Sequence, residues 1–268
     1  MCSSDLDDIF TRNPFKITKE QGGVFKYKLN HWDIIRNLLI YRKSTLGDTS
    51  KLRYKTLPKF ITEEIYNNII NACQLYDKEI VICVTNFTLR ERQYIDLHKC
   101  GYEDFLDWLW ASTSAPPFMS IVEKDNYEWI DGGVMTMVPL KEAVLRGADI
   151  IDCVVLQEEK PSFAIEKTRN LLHFIINLLY MQMDYRMMEN SDLSNIVNHV
   201  PFDKKIIVNF HYTEKKLTNN ALMFDQENMR KWWVDGYNYA KEGRYKSYLV
   251  DRTGFELLDN KKGDRSIF

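Results

Sequence analysis

The chain has 268 residues, of which 45% are apolar, and a formal net charge of −2. This composition is typical of an ordinary folded protein that can bury one large core, alone or with an appended lobe. Its five cysteines and five histidines are scattered without a Cys-x-x-Cys pair or the spacing of metal ligands. Neither a disulfide framework nor a zinc site is therefore expected, and a reducing compartment is the default.

The longest apolar run, residues 171–183, is interrupted by His173, Asn177 and Gln182. It is shorter than the roughly 18 residues that a membrane-spanning helix needs, so we predict none. No phosphate-binding loop or dinucleotide fingerprint is present, and we predict no cofactor. No signal peptide opens the chain as given, which favours a cytoplasmic or peripheral membrane location.

Charge is distributed unevenly along the chain. Residues 12–59 contain twelve Lys or Arg and three acids, a local charge of +9, so the remainder carries −11. Within this region, the spacing of apolar residues from Trp32 to Arg42 predicts an amphipathic basic helix. Such a helix either caps the core with solvated lysines or lies on an anionic membrane. The candidate contact residues are Arg36, Arg42, Lys43, Lys51, Arg53 and Lys55. The region lacks the motifs of a nucleic-acid reader, so no nucleic-acid partner is predicted.

The next part of the chain alternates helix and strand patterns. A helix is predicted from Pro58 and Thr62 through Leu75, with Thr62 as its cap and two acids in its first turn. Residues 79–85 form a nearly continuous β-branched run, which is typical of a strand buried on both faces. Residues 93–97 return as a second strand, antiparallel to the first. Residues 103–112 are predicted to be helical, with their aromatic residues in the core.

A strand pattern from Tyr127 ends on Asp131 and is followed by Gly132 and Gly133. Pro139 then suits the first position of a helix through Arg146, and Gly147 suits the residue just past its end. In open α/β sheets, ligands and catalytic groups collect where strands end. From spacing alone, however, an ordinary Asp-Gly-Gly turn in which the aspartate only caps the following amides is the favoured interpretation.

Further buried strands are predicted at residues 150–156 and 204–210, with a long helix from Ser162 to about Glu189 between them. A second helix, capped by Asp225, follows the later strand. Strand, turn, helix and strand across residues 127–156 indicate a right-handed crossover unit of a parallel sheet. We therefore predict one α/β domain over residues 1–268, with residues 5–60 as a basic cap and residues 61–268 as the sheet and its covering helices.

Three motifs occur in order over about 40 residues: Ala-Ser-x-Ser-Ala-Pro at 111–116, Asp-Gly-Gly at 131–133, and Pro-Leu-x-x-Ala-x-x-x-Gly-Ala-Asp at 139–149. Together they resemble the second half of the catalytic domain of patatin-like phospholipases. The resemblance implies a three-layer α/β/α domain with a mostly parallel sheet. It also implies a lipid acyl hydrolase with a Ser-Asp dyad, in which Asp131 is the general base and Gly132 and Gly133 form the motif turn. The implied substrate is a phospholipid or another acyl lipid.

The nucleophile of that family sits in a Gly-x-Ser-x-Gly elbow, preceded by a glycine-rich loop that supplies the oxyanion hole. No serine of this chain has glycine at both −2 and +2. Ser3 and Ser4 lack the small neighbours that an elbow requires, and the segment Ser112, Thr113 and Ser114 is structural in the family. We therefore expect the family's first strand and elbow helix to be missing, and little hydrolysis by this chain alone. Family members often have Asn two positions before the proline, where this chain has Met137.

Three hypotheses remain from the sequence. The first is a patatin-type hydrolase of which this chain holds the aspartate half. The second is a non-catalytic lipid- or membrane-binding relative that keeps the basic region. The third is an α/β interaction domain that shares only the fold.

Overall fold

The structure, a computed structural model, describes residues 9–12, 15–19, 25–29, 44–158, 171–213, 226–242 and 245–258. The chain divides into two compact units, Met1–Thr136 and Met137–Phe268. The predicted basic helix at 32–42, the start of the predicted helix at Ser162 and the cap at Asp225 lie outside the described residues.

The first unit contains six described strands and three α-helices. The strands are β1 (Phe15–Lys19), β2 (Phe25–Leu29), β3 (Val81–Asn86), β4 (Glu91–Asp96), β5 (Val122–Lys124) and β6 (Tyr127–Asp131). A π-helical turn, Leu52–Thr56, continues into α1 (Leu57–Phe60), and α2 (Glu63–Leu75) and α3 (Tyr102–Ser112) follow. Short 3-10 turns occur at Leu97–Lys99 and Gly132–Val134.

The strands of this unit pair antiparallel throughout the described residues. β1 and β2 form a hairpin, and the other four strands form a sheet in the order β4-β3-β6-β5. One face of this sheet packs on α3, where Val84, Trp129, Trp108, Phe105 and Leu106 form the core. The rings of Trp108 and Trp129 meet edge to face, with centroids 4.9 Å apart.

The second unit is built on a mixed sheet. Its elements are α4 (Leu140–Leu145), β7 (Ile150–Glu158), α5 (Leu171–Asn190), α6 (Ser194–Val197), β8 (Ile206–Thr213), α7 (Gln226–Lys241), β9 (Lys246–Asp251) and β10 (Gly254–Leu258). The strand order is β10-β9-β8-β7, with β7 and β8 parallel and the other pairs antiparallel. Alternate residues of β7 and β8, including Cys153, Val155, Val208 and Phe210, point into one core. On its other face β7 exposes Ile150, Val154 and Leu156.

Several predicted elements are confirmed. Thr62 accepts the Ile65 N–H at 3.3 Å and begins α2, as its position before two acids predicted. β3 and β4 form the predicted antiparallel pair. Gly147 lies just past α4 with φ +88°, whereas Pro139 is the residue before the helix rather than its first member.

The α/β class is also confirmed, but the strand pairing differs from the expected mostly parallel sheet. Among the described strands only β7 and β8 pair parallel. The predicted crossover from residues 127–131 to 150–156 within one parallel sheet is wrong, because β6 pairs antiparallel with β3 and β5. Asp125 and Asn126 adopt positive φ angles of 54° and 64° and join β5 to β6 in a tight hairpin, which commits β6 to an antiparallel partner.

Candidate functional site

Asp131 is the last residue of β6, and its carboxylate closes the turn that follows. The side chain is half-buried, and its Oδ1 accepts the N–H of Gly133 at 2.6 Å. This bond caps the 3-10 turn Gly132–Val134. One carboxylate oxygen is therefore used to fix the orientation of the group.

The main chain of Asp131 is held on both sides. Its N–H donates to the carbonyl of Ser114 at 2.9 Å, just beyond the end of α3. Its own carbonyl accepts the Thr85 hydroxyl at 3.0 Å. Thr85 lies on β3 and is only 3% exposed, so its hydroxyl is committed to this bond. Nothing in the sequence around Thr85 predicted this bond. Its position in a β-branched strand run gave no sign of a polar role.

Gly132 is required by a close approach to β3. A Cβ at this position would lie 2.3 Å from the carbonyl oxygen of Cys83 and 2.5 Å from its carbonyl carbon. The same Cys83 oxygen accepts the Ser112 hydroxyl at 2.8 Å, which ties α3 to β3 behind the turn. The turn is thus pressed against a fixed strand, and only glycine fits there.

The residues after the glycines support the turn through the main chain. The amides of Met135 and Thr136 both donate to the Gly132 carbonyl, at 3.0 and 2.8 Å. The Thr136 side chain is buried, and its hydroxyl accepts Arg92 Nη1 at 3.4 Å. This turn is therefore closed although the chain has Met137 where family members often have a polar residue.

Burial raises the pKa of the Asp131 carboxyl above its ordinary value, and the hydrogen bond from the Gly133 amide opposes the shift. Among the described residues, no charged side chain contributes to the shift. The carboxylate is desolvated, and no cation of the described residues compensates for this, so it binds a proton more readily than an exposed aspartate does.

The three hydroxyls of the Ser112–Ser114 segment are engaged as donors to main-chain carbonyls. Ser112 donates to Cys83, Thr113 to Leu109 and Trp110, and Ser114 to Trp110. These bonds join the end of α3 to itself and to β3. The geometry agrees with a structural role for the segment.

The structure describes three of the six candidate membrane-contact residues, and these three differ in exposure. Arg36, Arg42 and Lys43 lie outside the described residues, Lys51 is half-buried, and Lys55 is exposed. Arg53 points inward, is only 3% exposed, and pairs with Asp107 at 2.5 Å and Glu103 at 2.6 Å. Its guanidinium is engaged inside the protein and is not presented to an external surface.

Two of the described histidines, His98 and His211, also have local partners. His98 Nδ1 lies 3.3 Å from the Ile80 amide nitrogen, and His211 Nε2 lies 3.0 Å from Asp152 Oδ1. Within the ranges that the structure describes, no group of three or more His, Cys, Asp or Glu side chains is arranged to hold a metal ion. In the same ranges, no helix has both the length and the apolar character needed to cross a membrane.

Comparison with known proteins identifies one family. The family model described as patatin-like phospholipase matches residues 1–144. This range contains the segment 111–119 and the turn at 127–139 on which the sequence resemblance depends. A search of curated proteins found no match.

Proposed function

Because the chain belongs to the patatin-like phospholipase family, whose model matches residues 1–144, we propose that Asp131 is the general base of a Ser-Asp dyad. The family consists of lipid acyl hydrolases, and the proposed reaction is cleavage of an acyl ester bond in a phospholipid or a related lipid. The observation that carries the proposal is a desolvated carboxylate, fixed at a strand end, with a raised pKa and no cation contributing to it among the described residues.

The chemistry requires a proton acceptor of this kind. A serine hydroxyl attacks the ester carbonyl carbon only as its proton leaves, and Asp131 would take that proton. The tetrahedral intermediate then expels the alkoxide, which takes this proton from Asp131, and an acyl-serine remains. Water attacks the acyl-serine as Asp131 takes its proton, and that proton returns to the serine as the fatty acid leaves. With Oδ1 held by Gly133, the second oxygen of Asp131 is the one assigned to the serine.

The proposal assigns only the aspartate half of the dyad to this chain. Ser112 and Ser114 are engaged with main-chain carbonyls, and no Gly-x-Ser-x-Gly sequence occurs in the 268 residues. Neither the nucleophile nor the oxyanion donors are assigned to any residue here. We therefore expect the 268-residue chain by itself to hydrolyse esters slowly or not at all.

The first test is the intact mass of the protein from its native source, followed by labelling with a fluorophosphonate probe. If that protein is longer and carries the elbow, one serine outside these 268 residues should be labelled. Asp131→Asn should then lower kcat roughly 100-fold or more, the usual contribution of a general base. Asp125→Asn, at an exposed carboxylate in the β5–β6 turn, is the matched control. Labelling of a specific serine within this chain, or full activity of Asp131→Asn, would overturn the assignment.

A second candidate function is non-catalytic binding to lipid or to an anionic membrane. The absence of an elbow from the 268 residues and the exposed position of Lys55 in the basic region favour it. It predicts that the protein sediments with anionic liposomes in a salt-dependent way and shows no esterase activity.

A further inference from the structure

Residues 50–60 form one helical run, and its side chains separate into two opposite rows. Arg53 and Leu57, four residues apart, face the body of the first unit, and Leu57 packs on its core together with Ile61, which lies just past the run. Lys51, Lys55 and Lys59 recur at the same spacing, two residues out of phase. Four-residue spacing keeps side chains on one helix face, so the lysines form a row opposite the buried residues.

Arg53 fixes this run to α3. Its Nε lies 2.5 Å from Asp107 Oδ1, and its Nη2 contacts both the carboxylate and the main-chain carbonyl of Glu103, at 2.6 and 3.1 Å. A buried arginine that bridges two carboxylates through different nitrogens of its planar guanidinium sets the orientation of the helix as well as its position. The face that carries the lysines is therefore held outward by a rigid contact.

The outward face combines basic and aromatic groups. Lys55 and Lys59 are exposed, and two rings beside them project into solvent, Tyr54 at 67% and Phe60 at 66% exposure. The ammonium of Lys59 lies 5.7 Å from the centre of the Phe60 ring.

No acid occurs between Thr49 and Thr62. Like charges four residues apart on a helix repel each other, and no acid of this segment offsets the repulsion between the lysines. An external anionic surface would relieve that repulsion.

We propose that Tyr54, Lys55, Lys59 and Phe60 form a membrane-docking surface for a lipid bilayer with anionic head groups. The proposal deepens the proposed function, since it names the residues through which a lipid-acting protein meets its substrate surface. Lysines are attracted to the negative surface potential of such a bilayer. Tyrosine and phenylalanine rings enter the boundary between head groups and acyl chains. The membrane-docking surface supplies both kinds of contact within one helical run, although the Tyr54 ring also lies 6.2 Å from the ring of Trp110.

The test is co-sedimentation with vesicles of phosphatidylcholine, with and without phosphatidylserine. We expect binding to the phosphatidylserine vesicles that weakens as salt is raised. Each lysine near an anionic surface contributes about fivefold to the partition coefficient. The double variant Lys55→Ala with Lys59→Ala should therefore reduce it by about 30-fold. The variant Tyr54→Ala with Phe60→Ala should weaken binding at high salt as well, because the apolar contribution is not screened.

Matched controls use residues of similar exposure elsewhere. Lys78→Ala with Lys231→Ala removes two exposed lysines, and Tyr76→Ala with Phe87→Ala removes two exposed rings. Both controls should bind vesicles as the unaltered protein does. Equal binding by the lysine variant and its control, or no binding to phosphatidylserine vesicles, would overturn the proposal. Binding only to an acidic protein or a nucleic acid, and not to vesicles, would also overturn the proposal.

Binding is measured without hydrolysis, so the two proposals can fail separately. Asp131→Asn should bind phosphatidylserine vesicles normally. Suppose that vesicle binding depends on the membrane-docking surface but hydrolysis is unaffected by Asp131→Asn. This result would refute the dyad and would support the membrane-docking surface. Hydrolysis of a soluble ester that depends on Asp131, without vesicle binding, would refute the surface alone.

Discussion

Replacing Gly132 with alanine tests the close packing of the Asp-Gly-Gly turn against β3. The added Cβ would lie 2.3 Å from the Cys83 oxygen, 2.5 Å from its carbonyl carbon and 2.8 Å from its Cβ, whereas ordinary contacts begin at 3.4 Å. All three atoms belong to or adjoin the backbone of β3, so no flexible side chain can move aside. The strand or the turn must retreat by about 1 Å, and overpacking of this kind costs about 3 kcal/mol.

The displacement would also disturb neighbouring contacts of the site. The Cys83 carbonyl is held by the Ser112 hydroxyl, and Val84, the next residue, pairs with Asp131. We expect Gly132→Ala to lower the free energy of unfolding by about 3 kcal/mol. The assay is urea denaturation followed by circular dichroism and tryptophan fluorescence.

Two glycines provide controls for the same substitution. Gly101 precedes α3 in the same unit with open space around its Cα, so Gly101→Ala should cost only about 1 kcal/mol or less through the lost cap preference. Gly236 lies inside α7, also with open space, and Gly236→Ala should stabilise that helix by up to about 1 kcal/mol. A urea denaturation midpoint for Gly132→Ala equal to that of Gly101→Ala would refute the predicted overpacking of the turn against β3.

Two further substitutions examine the carboxylate and its support. Asp131→Asn keeps an oxygen for the Gly133 N–H and removes a desolvated charge. Folding raises the pKa of Asp131, so the charged form costs stability as the pH rises from the ordinary carboxyl value, about 4, through the folded pKa. Asp131→Asn should thus be more stable than the unaltered protein at neutral pH, by about 1 kcal/mol or less because the group is only partly buried, and equally stable at low pH. The measurement is thermal denaturation at neutral pH. A gain in stability of Asp131→Asn no larger than that of Asp125→Asn would contradict the prediction. Thr85→Val removes the donor to the Asp131 carbonyl and should cost about 1–2 kcal/mol. Thr85→Val should also speed hydrogen exchange of the Asp131 and Gly133 amides, whereas Thr85→Ser, which keeps the hydroxyl, should leave these rates nearly unchanged. Exchange rates in Thr85→Val equal to those of the unaltered protein would count against the role of this bond.

The elements that sequence predicted well are those fixed by local chemistry. Thr62 followed by two acids predicted the start of α2, and the β-branched run before Asn86 predicted β3. The turn at Asp131 was also predicted, because two glycines after a strand pattern leave few other conformations. In each case the signal lies within a few residues of the feature it predicts.

Strand partners were harder to predict because they depend on contacts far apart in sequence. The Asp125-Asn126 pair is a hairpin signal that would have made β6 the partner of β5 and excluded the predicted parallel crossover. The parallel partner of β7 is β8, about 50 residues later, and nothing local to either strand specifies that choice.

Side-chain direction within the basic region was likewise not evident from charge alone. Arg53 was grouped with the lysines as a possible surface contact, yet it is buried against Glu103 and Asp107. The four-residue recurrence of Arg53, Leu57 and Ile61 was the available signal, because it places the arginine on the apolar face. Net charge gives only the balance of cations and anions in a segment, whereas periodicity indicates which of the cations face solvent.

The balance of effects on the pKa of Asp131 differs from that expected of an exposed turn cap. An aspartate that only closes a turn is best left exposed, where the amide it accepts lowers its pKa and the charge stays solvated. At Asp131 the Gly133 amide acts in that direction, but burial outweighs it and raises the pKa. A partly buried carboxylate whose charge no cation of the described residues offsets lowers the stability of the fold, and asparagine would close the same turn without that cost. A role as proton acceptor would explain why a carboxylate is kept at this position. If Asp131 is the base, Asp131→Asn should gain stability and lose ester hydrolysis in a protein that carries the nucleophile. If Asp131 only caps the turn, the same variant should gain stability and keep hydrolysis.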